Sequence, residues 1–105
     1  MHLKLSDLPG RPVLDANGAV IGDIKAPLVD TDTWLVDTLR VVVRRQAARE
    51  MALSWSFFKR PTVDVPTGLI HAAGDAIILR VSIGELREAP PLRAIEPQHH
   101  AMAAH

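Results

Sequence analysis

The chain of 105 residues predicts an all-β fold, a small barrel or sandwich, and three observations carry that prediction. Short runs of Val, Ile and Leu alternate with polar residues at a period of two. Turn residues punctuate the runs at regular spacing: Pro9-Gly10, Asn17-Gly18, Asp30 to Thr33, Pro66 and Gly74-Asp75. One stretch, Gln46 to Ala52, has good helix formers and no β-branched residue, so a single short helix or turn is expected there.

Length and composition bound the rest. Residues 1–88 read as one domain, and residues 89–105, rich in Pro, Ala and His, as a poorly ordered tail. A hydrophobic share of 48% fits a globular core and excludes a mostly disordered chain. The absence of cysteine removes disulfides, thiolate metal sites and thiol nucleophiles. Twelve Lys and Arg balance twelve Asp and Glu, which argues against a dedicated nucleic-acid binder and mildly favours self-association. No stretch is apolar for long enough to span a bilayer, and the opening MHLKLSDLPG does not read as a signal peptide. A soluble, cytoplasmic protein is expected.

Leu3 and Leu5 alternate with polar neighbours, which predicts a strand-like entry, and Ser6 to Gly10 then turns. Arg11 to Asp15 follows as a short strand with Val13 inward. Asn17-Gly18 marks a hairpin, because both residue types tolerate positive φ. The next strand runs from Ala19 to about Asp30, with Val20, Ile24 and Leu28 on the inward parity. Gly22 interrupts that parity and marks a bend, and Pro27 needs an edge or irregular position. Trp34 to Arg45 is a central strand: Leu35, Leu39, Val41 and Val43 share one face, broken by Asp37, and Trp34, Val36, Thr38, Arg40 and Val42 share the other. In the helical stretch, Ala48, Met51, Ala52 and Trp55 form the apolar face. From Leu53 an extended reading competes. Thr62 to Val65 is a short strand ended by Pro66, Leu69 to Asp75 connects, and Ala76 to Ile83 is the clearest strand, with Ile77, Leu79, Val81 and Ile83 inward. Ser82 or Gly84 starts a closing turn through Leu86.

Three motifs in this order resemble the PRC-barrel family: L-S-D-L-x-G-R-x-V at Leu5 to Val13, D-A-N-G-A-V-I-G-D-I at Asp15 to Ile24, and V-D-V-P-x-x-L-I-x-A-x-G-D-A-I-x-L at Val63 to Leu79. The second leads through L-V-D-T-D-T at Leu28 to Thr33 into the Val-rich strand. The resemblance covers about Leu5 to Leu86. It implies a mainly β fold, a small, strongly bent antiparallel β-barrel of about six strands. It also implies protein–protein interaction rather than catalysis. Relatives in that family include the cytoplasmic domain of a photosynthetic reaction-centre subunit and the C-terminal domain of a ribosome-maturation factor. The sequence contains neither the transmembrane helix of the first nor the N-terminal domain of the second. The resemblance is therefore to the stand-alone bacterial and archaeal type, which often self-associates.

Asp15, Asp23, Asp30 and Asp32 are carboxylates near in sequence, but they lack an EF-hand spacing, and turn roles are expected of Asp15, Asp30 and Asp32. Four of five histidines (His2, His99, His100, His105) lie near the ends of the sequence and His71 is alone, so no functional metal site is expected. Ser54 and Ser56 sit in no nucleophile elbow, the glycines form no phosphate loop, and no cofactor is expected. Arg40, Arg44, Arg45, Arg49, Lys59 and Arg60 interleave with Trp55, Phe57 and Phe58, a pattern that supports a nucleic-acid-binding accessory factor as the alternative reading. A small barrel has room for one or two of the four aromatics inside. Trp34, Val36, Trp55, Phe57, Phe58, Arg44 and Arg45 are therefore the candidate residues of a partner or homodimer interface.

Overall fold

In a computed structural model of the chain, which describes residues 2–53 and 60–88, six strands form one sheet. They are β1 (Pro12–Leu14), β2 (Val20–Asp30), β3 (Leu35–Val43), β4 (Thr62–Pro66), β5 (Ile70–Ala73) and β6 (Ile77–Leu79), in the order β4-β3-β2-β1-β6-β5. Helices α1 (Arg45–Glu50) and α2 (Ile83–Glu88) and 3-10 turns at Leu5–Asp7 and Thr67–Leu69 complete the described chain. The mainly β class is as expected. The sheet is mixed rather than wholly antiparallel, because β1 and β6 run parallel, with Val13 opposite Ile77. The entry expected as a strand around Leu3 and Leu5 is a 3-10 turn instead.

The sheet is rolled, and the chain path requires it. β4 and β5 stand at opposite edges, yet only the three-residue turn Thr67–Leu69 separates them. A flat six-stranded sheet would part its edges by about 24 Å, at close to 4.8 Å per strand. Three residues of 3-10 helix advance only about 6 Å. The edges therefore approach each other at that end, where Thr67 Oγ1 donates to Val36 O (3.3 Å) and Arg80 N–H donates to Leu69 O (2.8 Å). Among the described residues no ladder joins β4 to β5, so the roll is not closed by hydrogen bonds.

Bulges supply the curvature. Val13 lies opposite Gly22 and Leu14 opposite Val20, leaving Ile21 as the extra residue of β2. That bulge turns Ile21 fully into the core, with Val20 left half-buried, which departs from the simple alternation expected of β2. Lys25 is the extra residue opposite β3, and Asp37 is the extra residue on β3 itself. Gly22 faces Val43 across the ladder, at a backbone approach so close that no side chain fits. Pro27 is tolerated because the β1 ladder on β2 ends at Asp23, so a missing N–H on that side costs nothing.

The core is the concave face of the roll. Val13, Ile21, Val41, Val43 and Val63 are completely buried there, with Leu39, Val65, Ile77 and Leu79. Each such side chain contributes about 1.5–3 kcal/mol by leaving water. Ala47, Ala48 and Met51 of the α1 region and Ile83 and Leu86 of α2 cover the same cluster. The buried face of α1 thus sits one residue from the expected one: Ala47 replaces Ala52. Ile83, expected as the last inward residue of a long strand, instead opens α2, since the strand β6 ends at Leu79. Ser82 caps α2 reciprocally: its Oγ accepts from Glu85 N–H (3.1 Å) and Glu85 Oε1 accepts from Ser82 N–H (3.0 Å).

α1 is too short to persist unaided and ends in a Schellman motif. Leu53 N–H donates to Ala48 O (2.8 Å) and Ala52 N–H to Arg49 O (3.1 Å). Ala52 is held at φ 58°, in the left-handed region that suits glycine. Ala52→Gly is therefore expected to stabilise the chain by up to about 1 kcal/mol, raising the thermal midpoint by about 4–8 °C. A lower midpoint in a thermal melt would contradict the strain assigned to this position.

Candidate interaction surface

β2 and β3 make the longest hairpin, and its distal half leaves the sheet. β1 pairs with β2 only as far as Asp23, and β4 reaches β3 only as far as Thr38. Beyond these points the two strands pair only with each other, through Val29 opposite Val36 and Asp30 opposite Leu35. A two-stranded arm has no layer to cover its second face.

The turn at the end of the arm is built by its polar residues. Asp30 Oδ1 accepts from Asp32 N–H (2.8 Å), and Asp30 O accepts from Trp34 N–H (2.6 Å). Thr33 Oγ1 accepts from Leu35 N–H (3.3 Å). Closing this loop places Trp34 at φ 60°, a left-handed backbone that a bulky residue rarely adopts. Trp34 is 76% exposed and its neighbour Leu35 65%, while Val29, opposite Val36 on the other face of the hairpin, is 39% exposed. Scattered single apolar residues on a surface mean little, but Trp34 and Leu35, adjacent at the end of the arm, form a candidate contact patch.

One member of this patch, Leu35, was not legible as surface. Leu35 was expected on the inward face with Leu39, Val41 and Val43. The extra residue Asp37 reverses the alternation, so Leu35 turns outward while Val36 turns inward and packs half-buried against the core. Val36, expected at the interface, is therefore a core-flanking residue. The signal was present: a carboxylate on the inward parity of an apolar strand marks the point where the parity breaks. Trp55, Phe57 and Phe58 lie outside the described residues.

Arg44 and Arg45 are both exposed at the opposite end of β3, at the entry to α1. Arg44 is engaged by Asp23 in a two-pronged ion pair, Nη2 to Oδ1 at 3.0 Å and Nε to Oδ2 at 3.2 Å. Arg40 grips Asp64, its cross-strand neighbour, in the same way, at 3.0 and 3.2 Å. In each case the hydrogen bond to the aspartate, reinforced by its charge, pushes the guanidinium above its ordinary value. Two cations of the basic cluster are thus committed to carboxylates, which reduces what the cluster offers to phosphate.

The carboxylates have backbone work. Asp15 is the one charged side chain buried among the described residues, at 3% exposed. Its Oδ1 accepts from Asn17 N–H and Ala19 N–H (2.9 and 2.8 Å), and its Oδ2 from Ile83 N–H (2.9 Å). Asp30 holds its own turn, and Asp32 contributes its N–H to it rather than its carboxylate. The turn roles expected of Asp15 and Asp30 are therefore seen directly. Among the described residues no group of three or more His, Cys, Asp or Glu is placed to hold a metal ion. His71 is exposed on β5 as the extra residue of a bulge. No described helix is long and apolar enough to cross a membrane.

Compared with models of known protein families the chain matches none, and a comparison with curated proteins finds no match either.

Proposed function

We propose that this chain is a non-enzymatic protein–protein interaction module of the PRC-barrel type that works in the cytoplasm and self-associates. The observation that carries this reading is Trp34. A tryptophan held in a left-handed turn costs about 1–2 kcal/mol relative to a relaxed backbone, and this one stands 76% exposed. Glycine or asparagine would close the same turn without that cost, so the side chain has a use outside the fold. Tryptophan is among the commonest anchors of protein interfaces. The rolled sheet, with its edges joined by one short turn, supports the bent-barrel half of the reading, as does the order of the three motifs. The balanced charge supports self-association.

Trp34→Gly separates use from fold. The variant is expected to match or exceed the parent in thermal stability while losing self-association in sedimentation equilibrium. A parent that stays strictly monomeric at high concentration, or a variant that associates as well as the parent, would overturn the reading. Retention of a monomeric parent on single-stranded RNA at low salt would replace it with the nucleic-acid reading.

A further inference from the structure

Charge is segregated along the β2–β3 hairpin although the whole chain is balanced. Residues 26–39, which include the exposed Trp34 and Leu35, carry Asp30, Asp32 and Asp37 and no Lys or Arg. Residues 44–50, at the other end of β3, carry Arg44, Arg45 and Arg49 against the single acid Glu50. Asp32 and Asp37 are exposed at the first end, and Arg49 at the second. The nine residues of β3 hold the two ends up to about 30 Å apart, at close to 3.3 Å per residue.

Two tips brought together would oppose like charges. Two hairpins brought together antiparallel would place each acidic tip against the other copy's basic helix. A two-fold axis makes both contacts at once, because such an interface repeats each contact with the roles exchanged. The basic end also offers apolar surface, since Ala52, three residues after Arg49, is exposed and Leu53 is half-buried. Arg49 can there meet both the face of an indole and a carboxylate.

We propose that a second copy of this chain is the occupant of the Trp34 tip, and that the tip docks on the partner's α1 around Arg49 through its apolar residues and Asp32. This rests on the self-association reading and specifies its geometry. It follows that association is electrostatically guided and weakens with salt.

The test is a charge exchange in the full chain, read by sedimentation equilibrium with circular dichroism as the fold control. Asp32→Arg and Arg49→Glu alone are each expected to weaken self-association by about tenfold or more, because each reverses both symmetric contacts. Neither side chain has a hydrogen-bonded role in the turn or helix described above, so both variants should keep the parent spectrum. The double variant is expected to return to within about threefold of the parent, since the ion pair is restored with its sign inverted. A double variant as weak as the singles, or singles that associate like the parent, would overturn the proposed geometry. If Trp34→Gly abolishes association while the charge variants do nothing, self-association by the tip stands and this docking mode fails. A parent monomeric throughout removes the reading itself.

Discussion

Gly22→Ala is expected to destabilise the chain by about 3 kcal/mol or more, a large share of the stability of a domain this size. A Cβ at Gly22 would lie 2.0 Å from Val42 O and 2.9 Å from the same carbonyl carbon, with Val41 Cγ1 at 3.0 Å. The obstruction is backbone, so no rotamer change relieves it. β2 and β3 would have to separate where Asp23 pairs with Val42 and Ile24 with Val41. The separation cannot be local either, since Val41 and Val43 on either side of that carbonyl are completely buried. Gly74→Ala is the matched control: its added methyl meets nothing within 4 Å. Urea unfolding of the two variants should show a much lower midpoint for the first and an almost unchanged one for the second. Equal midpoints would mean that β2 and β3 pass each other less closely than the register implies.

The same glycine shows how far the sequence could be read. Its interruption of the inward parity marked a bend in β2, and a bulge does sit at its neighbour Ile21. The central strand's inward face at Leu39, Val41 and Val43 followed from alternation alone, and the turn role of Asp15 followed from its place before Asn17-Gly18. What alternation misses is any extra residue. Each bulge slips the count by one, so Ile21, Leu35 and Val36 all point to the face opposite the one expected. Nor does local sequence contain the parallel pairing of β1 with β6, which joins segments more than sixty residues apart. β5 was hidden for a related reason. Ile-His-Ala-Ala has no alternation, and it is a strand only because β6 pairs with it across a bulge at His71. The candidate surface was legible at Trp34 through its residue type. Its neighbour Leu35 became part of it only through the bulge at Asp37.

Replacement of Asp15 should be the other severe change, because its carboxylate joins two parts of the chain that share no ladder. Oδ1 closes the hairpin turn through Asn17 and Ala19, and Oδ2 holds Ile83, the first residue of α2, across 68 positions of sequence. A buried carboxylate is stable only with its lone pairs occupied, and here the occupants are backbone N–H groups that cannot leave. Asp15→Ala removes the acceptor and strands the Ile83 N–H in a buried site, where a lost charge-assisted bond and an unsatisfied donor together cost about 3 kcal/mol or more. The hairpin donors lose less, since Asn17 and Ala19 are exposed and can turn to water. Asp15→Asn divides the two functions. One carbonyl oxygen can still serve the two turn donors, but the amide NH2 then faces the Ile83 N–H, donor against donor. The expected loss is about 1–2 kcal/mol, larger than that of Ser82→Ala, which removes one exposed capping bond at the same helix end. Amide exchange distinguishes this account from a general weakening: in Asp15→Asn the Ile83 amide should exchange faster while the Ala19 amide stays protected. Uniform acceleration of both amides, or loss at Ala19 with Ile83 unchanged, would show that the carboxylate does not act as the tie between the hairpin and α2.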